Sequence, residues 1–163
     1  MIRIAVMLDA DKVIGSTDPD DDDWRVALLP PALPEVMTQL YESENVIAGA
    51  TWAGPIAGGD GPGGRYVLAR DPGVRVEGCT TVTDPQTIID RFLDSDDELV
   101  VIGGLRVFEL FTPHAQIIEI ARCDHLLPGD LVYDTWEQQP LELTDEVPWE
   151  GGRTLRYERR TPG

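Results

Sequence analysis

Apolar positions along this chain fall into two kinds of run. Ile2 to Leu8 (IRIAVML) and Glu98 to Ile102 (ELVVI) are almost continuously apolar. That is the pattern of strands buried on both faces. Asn45 to Ala48, Arg65 to Ala69, Val74 to Val76 and Gln116 to Ala121 read as further strands. Helical spacing intervenes between them. Thr83-Asp84 caps a segment with Ile88, Ile89 and Phe92 on one face, and Leu105 to Phe111 groups Val107, Leu110 and Phe111. Pro30, Pro31 and Pro34 crowd the start of another helix running to about Glu42, since proline is tolerated in a first turn. Leu141 to Asp145 and Arg153 to Arg159 flank the turn Pro148-Trp149-Glu150-Gly151-Gly152 and predict an antiparallel hairpin. Strands alternating with helices, closed by a hairpin, predict an α/β sandwich around a mostly parallel sheet. No internal repeat or linker interrupts the chain, so residues 1–163 read as one domain.

Charge changes what such a domain can bind. The 163 residues hold 30 Asp+Glu against 13 Lys+Arg, a formal net charge of -17. This disfavours nonspecific contact with nucleic acid or an anionic membrane, both of which need a basic surface. No run approaches the ~20 apolar residues of a membrane helix. The early acidic turn after Leu8 does not read as a signal peptide, so a cytoplasmic location is expected. Cys79 and Cys123 lack metal or disulfide spacing, and no metal site is expected. Lys12 is the only lysine, and every other basic residue is an arginine.

Two glycine-bearing turns follow strands: Gly103-Gly104, and Gly49-Ala50-Thr51-Trp52. In parallel sheets, ligands bind outside the carboxyl ends of the strands. Glycine there lets a backbone approach a ligand, and a following helix offers free N–H groups to phosphate. Two such turns suit a pyrophosphate.

The order of segments then resembles the dihydrofolate reductase family over almost the whole chain. IRIAVML is followed by Val13-Ile14-Gly15, by Trp24, by VIAGATW (46–52), by PGGRYVLAR (62–70), by VVIGGLRVFELFTPHA (100–115) and by LPGDLVYD (127–134). The longest of these is the most specific. The resemblance implies a three-layer sandwich on a central sheet of about eight strands. It also implies NADPH-dependent hydride transfer to dihydrofolate, giving tetrahydrofolate for one-carbon and thymidylate metabolism, in a monomer. It places Ile14, Gly15, Gly49, Thr51, Leu68, Ala69, Arg70, Gly103, Gly104, Leu105, Arg106 and Val107 on the cofactor. It places Ala5, Val6, Met7, Leu33, Met37, Arg65, Ile102, Phe108 and Ala121 around the substrate and Trp24 on the catalytic water, with Glu35 the candidate for the catalytic carboxylate.

The chain also departs from the family pattern. The family's acidic residue in the helix after the loop falls here on Leu33 or Ala32, and Glu35 is the only nearby carboxylate. Glu35 is either that acid or an ordinary first-turn glutamate favoured by the helix dipole. Ala121 stands where a supporting threonine is expected. Arg65 lies two positions from the family's substrate-binding arginine. Ala50 replaces an arginine on the cofactor's 2′-phosphate, leaving NADH as well as NADPH in play. Two function classes follow. One is a reductase of dihydrofolate or another pterin-like molecule. The other is a non-catalytic relative that keeps the fold as a binding or structural module.

Overall fold

The computed structural model describes residues 1–15, 39–40, 43–50, 64–124, 126 and 129–160. Trp24, Leu33, Glu35, Met37 and Thr51 lie outside the described residues. Ten strands are described: β1 (Ile2–Leu8), β2 (Val13–Gly15), β3 (Val46–Gly49), β4 (Arg65–Leu68), β5 (Thr80–Val82), β6 (Leu99–Gly103), β7 (Ile117–Cys123), β8 (Leu131–Val132), β9 (Leu141–Trp149) and β10 (Gly152–Arg159). Two α-helices are described: α1 (Pro85–Leu93) and α2 (Leu105–Phe111). Eight strands form one sheet in the order β5-β4-β3-β6-β1-β7-β10-β9, and β2 pairs with β8 separately. The pairings from β5 across to β7 are parallel; β7–β10 and β10–β9 are antiparallel. The expected parallel sheet and hairpin are both present.

The centre of the sheet is buried on both faces, which is why β1 and β6 read as unbroken apolar runs. Ile2, Ile4, Val6 and Leu8 join one core cluster with α1, α2, Ile118 and Ile120. Ala5 and Met7 join the other with Val46, Ala48, Val100, Ile102, Ala121 and Cys123. Helix α1 begins as its sequence requires. Asp84 accepts from the Gln86 N–H (3.0 Å) and Pro85 opens the first turn. Its buried residues are Ile88, Ile89 and Phe92.

The expected strand at Val74–Val76 is not formed. Asp71 turns the chain there, its side chain accepting from Gly73 N (2.8 Å) and its carbonyl from Val74 N (3.1 Å). The strand beside β4 is instead the β-branched run Thr80-Thr81-Val82, whose Thr81 hydroxyl ties back to Val74 O (2.6 Å). None of the described helices is long and apolar enough to cross a membrane.

One buried charge needs explanation. Glu119, on β7, is 2% exposed. It accepts from Arg156 Nε of β10 (2.7 Å) and lies 3.4 Å from Arg3 Nη1 of β1. Arg3 in turn meets Glu98 just ahead of β6 (2.9 Å). The four side chains form a row of alternating charge across four adjacent strands. Removing one member of a buried pair leaves an uncompensated charge, which costs more than the intact pair contributes. Arg156→Met, which leaves the buried Glu119 with only the more distant Arg3, is expected to lower stability by about 2 kcal/mol in urea titrations. The exposed Arg153–Glu146 pair (2.6 Å) serves as control, and Arg153→Ala should shift stability by less than about 1 kcal/mol.

Candidate functional site

The carboxyl ends of β4, β3 and β6 open together into a cavity of about 420 Å³. Strand β3 ends on Gly49 and β6 on Gly103, and the Gly103–Gly104 peptide is cis. Gly103 sits at φ +134°, a conformation that L side chains rarely adopt. Gly104 then caps α2 without a side chain. A Cβ built on Gly49 would lie 3.4 Å from Val107 Cγ2 and 3.8 Å from Gly103 O. Any side chain at the end of β3 would therefore run up against the first turn of α2, and glycine leaves that space open.

Gly49, Leu68, Ala69 and Arg70 line one side of the cavity, and Gly104 to Val107 another. All of these were expected from the sequence. Thr83, Pro85, Glu109, Leu110 and Leu131 complete the lining and were not expected. Thr83 and Pro85 were legible only as the start of α1. Leu131 arrives through the short β2–β8 pairing, in which Gly15 stands opposite it. Two-residue strands carry no periodic signal. Arg70 and Arg106 are exposed, and neither has a hydrogen bond or ion pair with a described residue. The first N–H of α2 to find its acceptor is that of Phe108, on Gly104 O (2.9 Å). The N–H groups ahead of it have no acceptor within the helix. Two guanidinium groups without partners among the described residues, N–H groups without an acceptor in the helix and apolar side chains suit a phosphate-bearing ligand with an apolar portion.

The expected substrate residues divide between the faces of the sheet. Ala5, Met7, Ile102 and Ala121 share one face, with Met7 directly opposite Ala121. Val6 and Phe108 belong to the other core cluster. Phe108 is fully buried and stacks on Tyr133 (centroids 5.1 Å apart, 21° between planes). Thr112 Oγ1 donates to Phe108 O (2.6 Å) and meets the Tyr133 hydroxyl (2.6 Å). Arg65 opens β4, at the end of the strand away from Ala69 and Arg70. Its charge opposes the upward push that burial exerts on the Cys79 thiol. Ile14 is buried on β2. Cys123 is fully buried, and burial with Asp9 and Asp124 nearby pushes its thiol up to about 12, so it serves as a packing residue. Among the described residues, no cluster of three His, Cys, Asp or Glu side chains could hold a metal ion.

The family model for dihydrofolate reductase matches residues 64–159, more than half of the chain. Among solved structures, the chain is similar to a dihydrofolate reductase from Enterococcus faecalis complexed with NADP(H) and RAB-propyl. The TM-score is 0.77 at 18% sequence identity, covering 99% of this chain and 97% of that one. No curated protein sequence matches.

The Tyr133 cluster beside the site gives a pH signature. Burial raises the Tyr133 hydroxyl above its usual range, against the lowering effect of its bond to Thr112. The unfolded chain releases this proton near pH 10 while the folded chain keeps it. Stability conferred by the protonated form is complete below about pH 10 and falls as pH rises further. Tyr133→Phe is expected to lower stability by about 1 kcal/mol at pH 7 and to flatten this alkaline loss. Urea unfolding at pH 7, 10 and 11 checks both effects.

Proposed function

The chain belongs to the dihydrofolate reductase family, and from that premise we propose that it reduces 7,8-dihydrofolate to tetrahydrofolate with NADPH. The cavity at the ends of β3, β4 and β6 is the observation that carries the reading. It combines a glycine-lined cradle with two arginines that have no partner among the described residues, on an otherwise strongly acidic chain.

The residues present fit this cofactor. Gly49, Gly104 and the backbone of Leu105 to Val107 would hold its pyrophosphate, and the family resemblance adds Thr51 to the residues proposed for it. Arg70 and Arg106 would take charge on its phosphates, with Arg70 the candidate for the 2′-phosphate since Ala50 offers no guanidinium. Leu68 and Ala69 would lie against its adenosine. When bound, the cofactor supplies the hydride. The protein orients the two partners and excludes water, so that each remaining polar contact acts in a low dielectric. Ala5, Met7, Ile102 and Ala121 form the apolar wall for the substrate. Glu35 is the carboxylate proposed to promote protonation of the substrate, with Trp24 ordering the water that delivers the proton.

Purified protein mixed with NADPH and dihydrofolate is expected to oxidise the cofactor, followed by its absorbance. Arg70→Ala and Arg106→Ala should each weaken NADPH binding about tenfold or more, as loss of a charge-assisted bond does. A smaller effect of Arg70→Ala on NADH than on NADPH would place that side chain at the 2′-phosphate. Glu35→Gln is expected to lower turnover sharply, and unchanged turnover removes Glu35 from the reaction. Tight NADPH binding without oxidation of the cofactor by any pterin favours the non-catalytic relative.

A further inference from the structure

On the Ala5–Met7 face of the sheet, Thr154 and Trp149 each bury a polar atom that has no hydrogen-bond partner among the described residues. Thr154, on β10, is 7% exposed, and its Oγ1 has no hydrogen-bond partner. The Nε1 of Trp149, at the end of β9, is likewise buried without a partner. Strand register places them together. Met7 pairs with Ala121, and Ala121 with Thr154. Trp149 stands opposite Gly152, and a Cβ added to Gly152 would meet the indole Cζ2 at 2.9 Å. The indole therefore lies over Gly152, the next position on the same face as Thr154. It also packs against the cluster that holds Ala5, Met7 and Ala121.

Glu119, the neighbour of Ala121 along the same face of β7, is held by Arg156 and Arg3. Native proteins pair nearly all buried donors and acceptors, because desolvating one without a partner is unfavourable. An indole N–H can only donate, and a threonine hydroxyl can donate or accept. Their common complement is a ligand edge bearing acceptors. On the strand between them, Ala121 puts only a methyl between Met7 and Thr154.

We propose that Thr154 and Trp149 form a hydrogen-bonding pair for an acceptor edge, a ring nitrogen or carbonyl, of the heterocyclic substrate. This assignment rests on the dihydrofolate reading above. It makes the far strands of the sheet, β9 and β10, part of the substrate site rather than a structural margin.

Calorimetric titration of dihydrofolate and, separately, NADPH into wild type, Thr154→Val, Thr154→Ser and Trp149→Phe tests the pair. Steady-state kinetics and thermal midpoints accompany each titration. Thr154→Val keeps the side-chain shape and removes the hydroxyl. It should weaken dihydrofolate binding about five- to tenfold and raise KM, with kcat within about twofold and NADPH affinity unchanged. Its thermal midpoint without substrate should be equal or higher, since an unpaired buried hydroxyl has gone. Thr154→Ser should restore affinity, and Trp149→Phe should weaken it in the same direction. Unchanged dihydrofolate affinity in both Thr154→Val and Trp149→Phe overturns the proposal. So does a lowered midpoint in Thr154→Val with affinity intact, which would give the hydroxyl to the fold. A wild-type protein that binds NADPH but not dihydrofolate overturns the functional reading itself, and this assignment with it.

Discussion

The end of β3 can approach the start of α2 closely because Gly49 carries no side chain, and the site is organised around that approach. A Cβ on Gly49 would already touch Val107 Cγ2 (3.4 Å), while Gly103 and Gly104 turn β6 into α2 without a Cβ between them. Side chains at these positions would occupy the space that remains. The parallel register holds the contact in place: Val46 and Ile47 pair with Val100 and Val101, then the ladder shifts so that Ala48 meets Gly103. Burial of β1, β3 and β6 on both faces makes that register hard to slip, because a slip would exchange the two core faces. The cavity is thus a consequence of sheet packing, finished by three glycines.

Arginine placement divides the molecule by purpose. Arg3 and Arg156 are committed to the buried Glu119. Arg159 donates to Ala115 O (2.9 Å), Thr112 O (3.1 Å) and Gln139 Oε1 (3.1 Å), locking β10 to the segment after α2. Arg91 lies over Phe92 and donates to the Tyr66 hydroxyl. Arg70 and Arg106 have no such engagement with the described residues, and both border the cavity. On a chain of net charge -17, cations kept free at one place form a local exception to a field that repels anions.

Much of this architecture was legible in the sequence. Elements buried on two faces, β1 and β6, announced themselves as apolar runs. Helix α1 carried its own cap in Asp84 and its own stripe in Ile88, Ile89 and Phe92. The glycine turns were legible because strand, glycine pair and helix occur in that order. What was missed depends on tertiary partners. Val74–Val76 is as β-prone as Thr80–Val82, and only the Asp71 turn decides between them. The β2–β8 ladder is too short to have a period, so Leu131 was not foreseen in the cavity. Ionic pairing across β6, β1, β7 and β10 cannot be read from residues far apart in sequence. Nor can the juxtaposition of Thr154 with Ala121, since it depends on the register of an antiparallel pair.

The central claim is that the glycine-lined space between β3 and α2 receives the cofactor. Calorimetric titration of NADPH into wild type and Gly49→Val tests it most directly, with circular dichroism and thermal midpoints confirming that the variant is folded. A Cβ at this position only reaches contact distance, so the added methyl groups must enter the space itself. The account predicts measurable binding to the wild type and a loss of at least about tenfold in the folded variant. Equal NADPH affinity in the two folded proteins would contradict it and would place the cofactor elsewhere.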